Sequence, residues 1–307
     1  MNYSAGEPID PEFRSGMIAI AGRPNVGKST LLNKILGQKV SITSRKANTT
    51  RHRILGVLSE PDCQYVFIDT PGFSTQSKQL VDRAIHKVAV AGIMGVDLVL
   101  FLVDSRGWHP QDLPVWRRIQ SEKLDSIVVI TKIDLLSRKD RLLPVISEIA
   151  QVTGSTEIVP ISAQKALNLD QLKSVISKHL PKGPPLFPSD FVTDQDDVFF
   201  ASELIREQVF RHYGEELPYS CAIQVEKYQL QRSVLHLHAL IWMESENQKR
   251  IIIGSKGEKI KIVGTRVRQI LESKLDTKVY VKLWVKVRSK WTEDERLIAN
   301  FGYSVQE

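Results

Sequence analysis

The chain has 307 residues and a formal net charge of +7; that length fits about two domains, each able to bury its own core. Its two cysteines, Cys63 and Cys221, and the lack of a CxxC pair exclude a disulfide framework and a cysteine-built metal site, and they fit a reducing cytoplasm. The longest apolar stretch, Val88 to Val103, is broken by Gly92, Gly95 and Asp97, which rules it out as a membrane span.

Residues 1–16 are polar, with Pro and Gly and no period, and read as a flexible arm or an appended non-native remnant, without the pattern of a secretory signal. The apolar run Met17 to Ala21 leads into Gly22-Arg23-Pro24-Asn25-Val26-Gly27-Lys28-Ser29-Thr30, and a helical pattern from Leu31 to Leu36 leads out. Strand, glycine-rich loop and helix in this order make a phosphate-binding loop. Its backbone N–H groups and the helix N-terminus face an anion. Lys28 is expected to reach the β- and γ-phosphates, and the Ser29 hydroxyl to ligate Mg²⁺. A long polar loop, Gln38 to Arg53, follows and holds Asn48-Thr49-Thr50. Two strands come next, Arg53 to Leu58 and Gln64 to Ile68, the second ending in Asp69-Thr70-Pro71-Gly72. An acid at the end of a buried strand is the expected second Mg²⁺ anchor, and Gly72 lets a backbone N–H approach the γ-phosphate.

Helical patterns at Gln76 to Met94, Pro114 to Glu122, Arg138 to Val152 and Asp170 to Leu180 alternate with apolar strands. Those strands are Asp97 to Val103, Ser126 to Ile130 and Glu157 to Ile161. The alternation predicts an α/β domain over 17–180, a mainly parallel sheet with helices on both faces and ligands at the strands' carboxyl ends. Lys28, Asp69, Thr131-Lys132-Ile133-Asp134 and Ser162-Ala163 all fall there. The Asp134 carboxylate can accept from both N1–H and the 2-amino group of guanine, a donor pair adenine lacks, while the Lys132 stem lies along the base.

Pro181 to Phe187 and Pro188 read as a stiff linker within 181–190, and 191–307 as a second, α+β domain. Between Lys249 and Lys290 stand 13 Lys or Arg against 3 Asp or Glu, a surplus that points to a polyanion partner. A helix from Asp197 to Tyr213 is followed by strands at Ser220 to Tyr228 and Ser233 to Met243, and His236 and His238 are assigned to a solvated strand face rather than a metal site. Gly254-Ser255-Lys256-Gly257 then joins two helical patterns, with Lys259 just beyond, and Ile251 to Ile253, Ile260 and Ile262 are assigned to core and groove walls. The last strand, Val279 to Arg288, alternates strictly, placing Tyr280, Lys282, Trp284, Lys286 and Arg288 on one face. A GxxG loop in α-β-β-α-α-β order resembles a type II KH domain, whose loop presses on nucleic-acid backbone.

Taken together, GRPNVGKST, the SITSRKANTTRHRI loop, DTPG, the TKID–SA pair, LWVKVRSKW and the final FGY make the chain similar to the bacterial Era family of GTPases. The resemblance implies GTP and GDP as ligands, Thr50 rather than Thr49 closing on Mg²⁺, Asp69 to Phe73 opening a second switch, and Ser162-Ala163 meeting the guanine O6. It also implies an RNA partner near the 3′ end of 16S ribosomal RNA in the small ribosomal subunit, a monomeric cytoplasmic protein, and contact with anionic inner membrane as reported for some relatives. Two departures stand out. Thr131 replaces the usual Asn of the base motif, and Phe73 stands where Ras-like enzymes carry a water-orienting Gln, so slow hydrolysis or nucleotide sensing with negligible turnover is expected. Asn25 is assigned either to holding K⁺, as in some relatives, or to a plain turn.

Overall fold

The computed structural model describes residues 10–44, 46, 49–72, 80–214 and 217–301. Asn48, Phe73, the start of the helix expected from Gln76, and Gly302-Tyr303 lie outside the described residues. The chain divides into two compact units, the first holding the described residues of 1–41, 50–76 and 86–194, the second those of 42–49, 77–85 and 195–307.

In the first unit, β1 (Arg14–Ala21), β2 (Ile54–Ser59), β3 (Cys63–Asp69), β4 (Leu98–Asp104), β5 (Ser126–Thr131) and β6 (Ile158–Pro160) form a sheet of order β2-β3-β1-β4-β5-β6. Only β2 runs antiparallel to its neighbour. The central strands are apolar on both faces because both faces are covered. Ile18, Ile20, Leu100 and Val129 pack with residues of α1 (Lys28–Ile35) and α5 (Leu169–His179). Ala19, Phe101, Val128 and Ile130 pack on the other side with α3 (Asp112–Ser121), α4 (Leu142–Thr153) and Ala89 of α2 (Leu80–Ala91).

Both expected boundaries of this domain move outward. Residues 13–16 are not an arm: Phe13 is buried, and β1 already begins at Arg14, whose N–H donates to Asp62 O at 3.1 Å. The 181–190 stretch, expected as a stiff linker, is a strap packed on this domain and running to Asp194. Gln64, fully buried, accepts from Leu186 N (2.7 Å) and Phe187 N (2.9 Å), and Val57 N donates to Val192 O at 2.7 Å. Phe187 stacks on Phe191 over Leu55, Val57 and Val66. Proline content set the expectation of a linker, but apolar rings and backbone pairing along β2 decide the outcome.

The second unit has α6 (Asp197–His212), β7 (Ala222–Gln231), β8 (Val234–Met243), α7 (Glu246–Ile253), α8 (Glu258–Leu275), β9 (Lys278–Val287) and α9 (Glu295–Asn300), the α-β-β-α-α-β order followed by a last short helix. Its sheet runs β7-β8-β9, with β7 and β8 antiparallel and β8 and β9 parallel. Asp196 caps α6 by accepting from Phe199 N at 2.6 Å. Leu204, Leu237, Val263, Val267 and Leu271 share one buried core. Ile252 joins it, whereas Ile251 and Ile262 are exposed, so two of the expected wall residues point outward. The 42–49 segment belongs to this unit: Thr43 N donates to the buried Glu207 Oε1 at 3.1 Å, and Arg211 Nη2 donates to Thr43 O at 3.3 Å.

Candidate nucleotide site and nucleic-acid groove

The phosphate loop closes on itself around Lys28. This side chain is buried, and its Nζ donates to Gly22 O (3.0 Å) and Arg23 O (3.2 Å). Burial pushes its ammonium down to about 8, against the pull of Asp69. Gly27 begins α1 as its N-cap, so the helix N-terminus opens at the loop. Val26 is fully buried in the core and Thr30 is exposed, so their backbones rather than their side chains line the loop. The Arg23 side chain turns away to Asp112, at 3.3 Å from Nε to the buried Oδ1. Gly72 closes the other side of the loop. A Cβ there would stand 3.0 Å from Pro24 Cγ and 3.1 Å from Pro24 N, so a larger residue would force the two segments apart. Next to it Thr70 Oγ1 donates to Ile20 O at 3.1 Å, and Pro71 is buried.

Beside this loop three oxygen-bearing side chains converge. Ser29 Oγ donates to Asp69 Oδ2 at 2.6 Å and lies 2.8 Å from Thr50 Oγ1. Thr49 Oγ1 instead donates to Lys46 O at 2.8 Å, which takes it out of the cluster. Ser41, which sequence reasoning missed, donates from Oγ to the same Asp69 Oδ2 at 2.9 Å. Its own position is set by Asn33 of α1, whose Oδ1 accepts from both Val40 N and Ser41 N. No sequence pattern marks such a contact, because Ser41 sits in an aperiodic loop. Asp69 is fully buried, and burial pushes its carboxyl up while Ser29, Lys28, Ser41 and Thr50 oppose the shift. Its Oδ1 has no hydrogen-bond partner among the described residues. Two hydroxyls and a carboxylate are a hard, all-oxygen donor set, and the orphaned Oδ1 offers a place for metal-bound water, so the residues fit Mg²⁺. When bound, Mg²⁺ supplies charge against the β- and γ-phosphates.

At the far end of the sheet the base motif is assembled from four segments. Lys132 Nζ donates to Asn25 O (2.5 Å) and to Asp104 Oδ2 (2.9 Å). Asn25 itself is a left-handed residue, φ +63°. Asp104 ends β4 fully buried; burial alone would raise its carboxyl, but Arg106 and Lys132 hold it well below the usual range. Asp104 was legible in principle, since it ends an apolar strand just as Asp69 does. Asp134 Oδ1 accepts from Ser162 Oγ at 2.5 Å, and Ser162 Oγ accepts from Lys165 N at 3.1 Å. Ala163 packs on the core beside them. The Thr131 hydroxyl is spent on the chain itself: it donates to Val26 O at 2.6 Å and lies 3.2 Å from Val103 O. It therefore ties the phosphate loop to the end of β5 and has no proton left for a base.

In the second unit, Gly254 (φ +72°) and Gly257 (φ +79°) bracket the turn between α7 and α8. Lys256 projects from it in a left-handed conformation, φ +49°, and Ser255 is exposed. Lys259 covers Gly254 so closely that a Cβ there would meet its Cγ at 2.7 Å. Next to this loop, α8 and the edge strand β9 enclose a groove of about 300 Å³ lined by Ile260, Lys261, Gly264, Arg268 and Tyr280. Lys261 and Arg268 put positive charge along it, and neither was singled out in the sequence. Lys282, Trp284, Lys286 and Arg288 do not line it. Val279, Val281, Leu283 and Val285 take the face of β9 that packs on the core, so the alternate residues stand on the opposite face. The structure thus separates one expected surface into two.

Residues 17–132 match a family model described as 50S ribosome-binding GTPase, and residues 216–292 match a KH domain model. The chain is 46% identical over 295 residues to GTPase Era of Histophilus somni, covering 96% of this chain and 98% of that protein. The chain belongs to the Era GTPase family. Era of Azotobacter vinelandii is 47% identical over 291 residues. The crystal structure of a point variant of Aquifex aeolicus Era bound to GDP·AlF4⁻ superposes with a TM-score of 0.92 at 41% identity, covering 95% of this chain and 100% of that one. An Era structure in complex with MgGDPNP and nucleotides 1506–1542 of 16S ribosomal RNA gives the same TM-score and coverage. Era membership makes the first unit a GTPase domain and the second a KH domain.

Proposed function

We propose that this chain is a switch that hydrolyses GTP slowly and holds the 3′ region of 16S ribosomal RNA, acting in 16S processing and 30S subunit assembly. The observation that carries this reading is the joint presence of the Ser29–Thr50–Asp69 oxygen cluster and the groove rimmed by a GxxG loop. It is supported by a solved Era that holds MgGDPNP and 16S nucleotides together. In this reading Lys28 neutralises the transferring phosphate, Thr50 closes on Mg²⁺, and the Gly72 N–H meets the γ-phosphate. Asp134, aligned by Ser162, selects guanine. With Phe73 after the glycine, intrinsic turnover is on the order of 10⁻⁴–10⁻² s⁻¹. Asn25 holds a K⁺ that adds charge at the leaving phosphate; equal rates in NaCl and KCl refute that part. The protein acts as a cytoplasmic monomer, and its basic second unit gives it a weak, salt-sensitive affinity for anionic membrane.

A competition assay with purified protein tests the core of the reading. GTP displaces labelled GDP and ATP does not, while Asp134→Asn shifts preference toward xanthine nucleotides. Gly257→Asp places a carboxylate in open space beside the loop, so it abolishes RNA binding and leaves GTP affinity unchanged. Retained RNA affinity in that variant would overturn the groove assignment.

A further inference from the structure

We infer that the loop from the end of β4 to the start of α3 is a clamp on the phosphate loop, and that Asp112 is a positioning residue for GTP hydrolysis. It acts through Arg23 on Pro24 and so on Gly72, which rests on the proposed reading that the Gly72 N–H meets the γ-phosphate. An acid stands at each end of the clamp, fully buried: Asp104 ends β4 and Asp112 begins α3. Each acid fastens one side of Pro24. Asp112 Oδ1 lies 3.3 Å from Arg23 Nε, and Asp104 holds Lys132, whose Nζ donates to Asn25 O. Between the two holds stands the proline against which Gly72 packs, with a Gly72 Cβ only 3.0 Å from Pro24 Cγ and 3.1 Å from Pro24 N. The clamp is itself tied at both ends. Asp112 Oδ2 accepts from His109 N (2.9 Å), Asp112 N donates to His109 O (2.8 Å), and Gly107 N donates to Asp104 O (3.1 Å). In its middle, Trp108 meets the edge of Phe101, a core residue of β4, with centroids 6.1 Å apart.

The Arg23–Asp112 contact is a poor source of stability. Arg23 Nε and Asp112 Oδ1 are both buried, and neither has a hydrogen-bond partner among the described residues, so the two charges meet without an aligned N–H. Burial pushes the Asp112 carboxyl up, against the His109 N–H and Arg23. A buried pair of this kind recovers little beyond its desolvation cost, and replacing both partners by uncharged groups is often neutral for folding. What the pair does supply is a fixed place for Arg23, and with it for Pro24. Place matters at this point of the loop, because a misplacement of about 1 Å costs up to about 100-fold in rate. GDP has no γ-phosphate, so a shift of Pro24 against Gly72 is felt in hydrolysis and not in GDP affinity.

The test uses the full chain and compares single-turnover GTP hydrolysis with equilibrium GDP affinity. Asp112→Asn keeps an oxygen for His109 N and removes the charge beside Arg23. It is expected to slow hydrolysis at least about tenfold while GDP affinity stays within about twofold. Arg23→Met is expected to do the same, and the double variant to be no slower than either single one, because both changes break one tie. Where a single variant fails to fold, the double variant decides, since it leaves no unpaired charge buried. A folded double variant that hydrolyses slowly supports the inference, and one with the wild-type rate shows that the pair serves folding only and overturns it. Unchanged hydrolysis in a folded Asp112→Asn variant overturns it too, as do losses that multiply in the double variant or a fall in GDP affinity as large as the fall in rate. A Gly72→Ala variant that hydrolyses GTP at the wild-type rate overturns the reading of Gly72 itself.

Discussion

At the scale of single residues, the nucleotide site depends on side chains whose polar atoms are already committed before any ligand is considered. Thr131 is the sharpest case. Its hydroxyl donates to Val26 O, so under the proposed reading guanine recognition falls on Asp134 and on the Lys132 stem. Thr131→Asn is expected to tighten GDP binding by up to about tenfold, since an amide can keep the tie to Val26 O and still donate to the base; that is the worth of one net hydrogen bond. Thr131→Val leaves the Val26 carbonyl without its donor and is expected to weaken GDP binding. Equilibrium titration with a fluorescent GDP measures both, and an Asn variant no tighter than wild type would show that the base is out of reach. Lys28, Asp69 and Asp134 were legible in the sequence because their spacing from strand ends encodes position. Ser41 and the Asp112 partner of Arg23 were not, because contacts between distant segments leave no local pattern.

At the scale of elements, the same contrast holds for the strap after α5. Its proline-rich composition argues for a linker, yet Gln64 satisfies two of its backbone N–H groups from within β3 and donates to Phe187 O at 2.8 Å. Gln64→Ala removes three part-buried hydrogen bonds and is expected to cost about 2 kcal/mol, read as a lower urea midpoint with unchanged slope. The β7–β8 hairpin shows a different kind of illegibility. Its two-residue turn is Arg232-Ser233, both at positive φ, where Gly or Asn would be the usual signal; β7 therefore runs three residues past its expected end. The end of α5 carries a pH-dependent clasp. His179 Nδ1 lies 2.7 Å from Asp125 Oδ2, and its Nε2 meets Glu157. Burial disfavours the imidazolium, but the two carboxylates outweigh it and the net shift is upward. A raised folded pKa means the clasp stabilises fully below the unfolded histidine value of about 6.5 and fades as pH rises through the folded one. Urea titrations at pH about 6 and about 8 should therefore differ more for wild type than for His179→Gln. Equal differences would mean that folding leaves the pKa of His179 unchanged.

At the scale of the whole molecule, the path of the chain supplies a route for coupling nucleotide to RNA. The 42–49 segment counts with the second unit, and the next residue, Thr50, hydrogen-bonds to Ser29 in the first. Within the second unit the segment is fastened by Thr43 N and Oγ1, both donating to Glu207 Oε1, at 3.1 and 3.4 Å. If Thr50 closes on Mg²⁺ as proposed, the closure acts on a peptide whose other end is anchored to α6. Thermodynamic reciprocity then fixes what must be seen: the factor by which GTP changes RNA affinity equals the factor by which RNA changes GTP affinity. Glu207→Ala removes the acceptor for both Thr43 donors and is expected to bring that factor toward one, while each ligand alone binds nearly as before. Glu207→Gln keeps an acceptor oxygen in place and is expected to retain most of the coupling, which separates loss of the anchor from loss of charge. Calorimetric titration of each ligand, with and without the other, closes the cycle. A full coupling factor in the folded Ala variant would mean that the anchor at α6 carries none of it and that the route lies elsewhere in the chain.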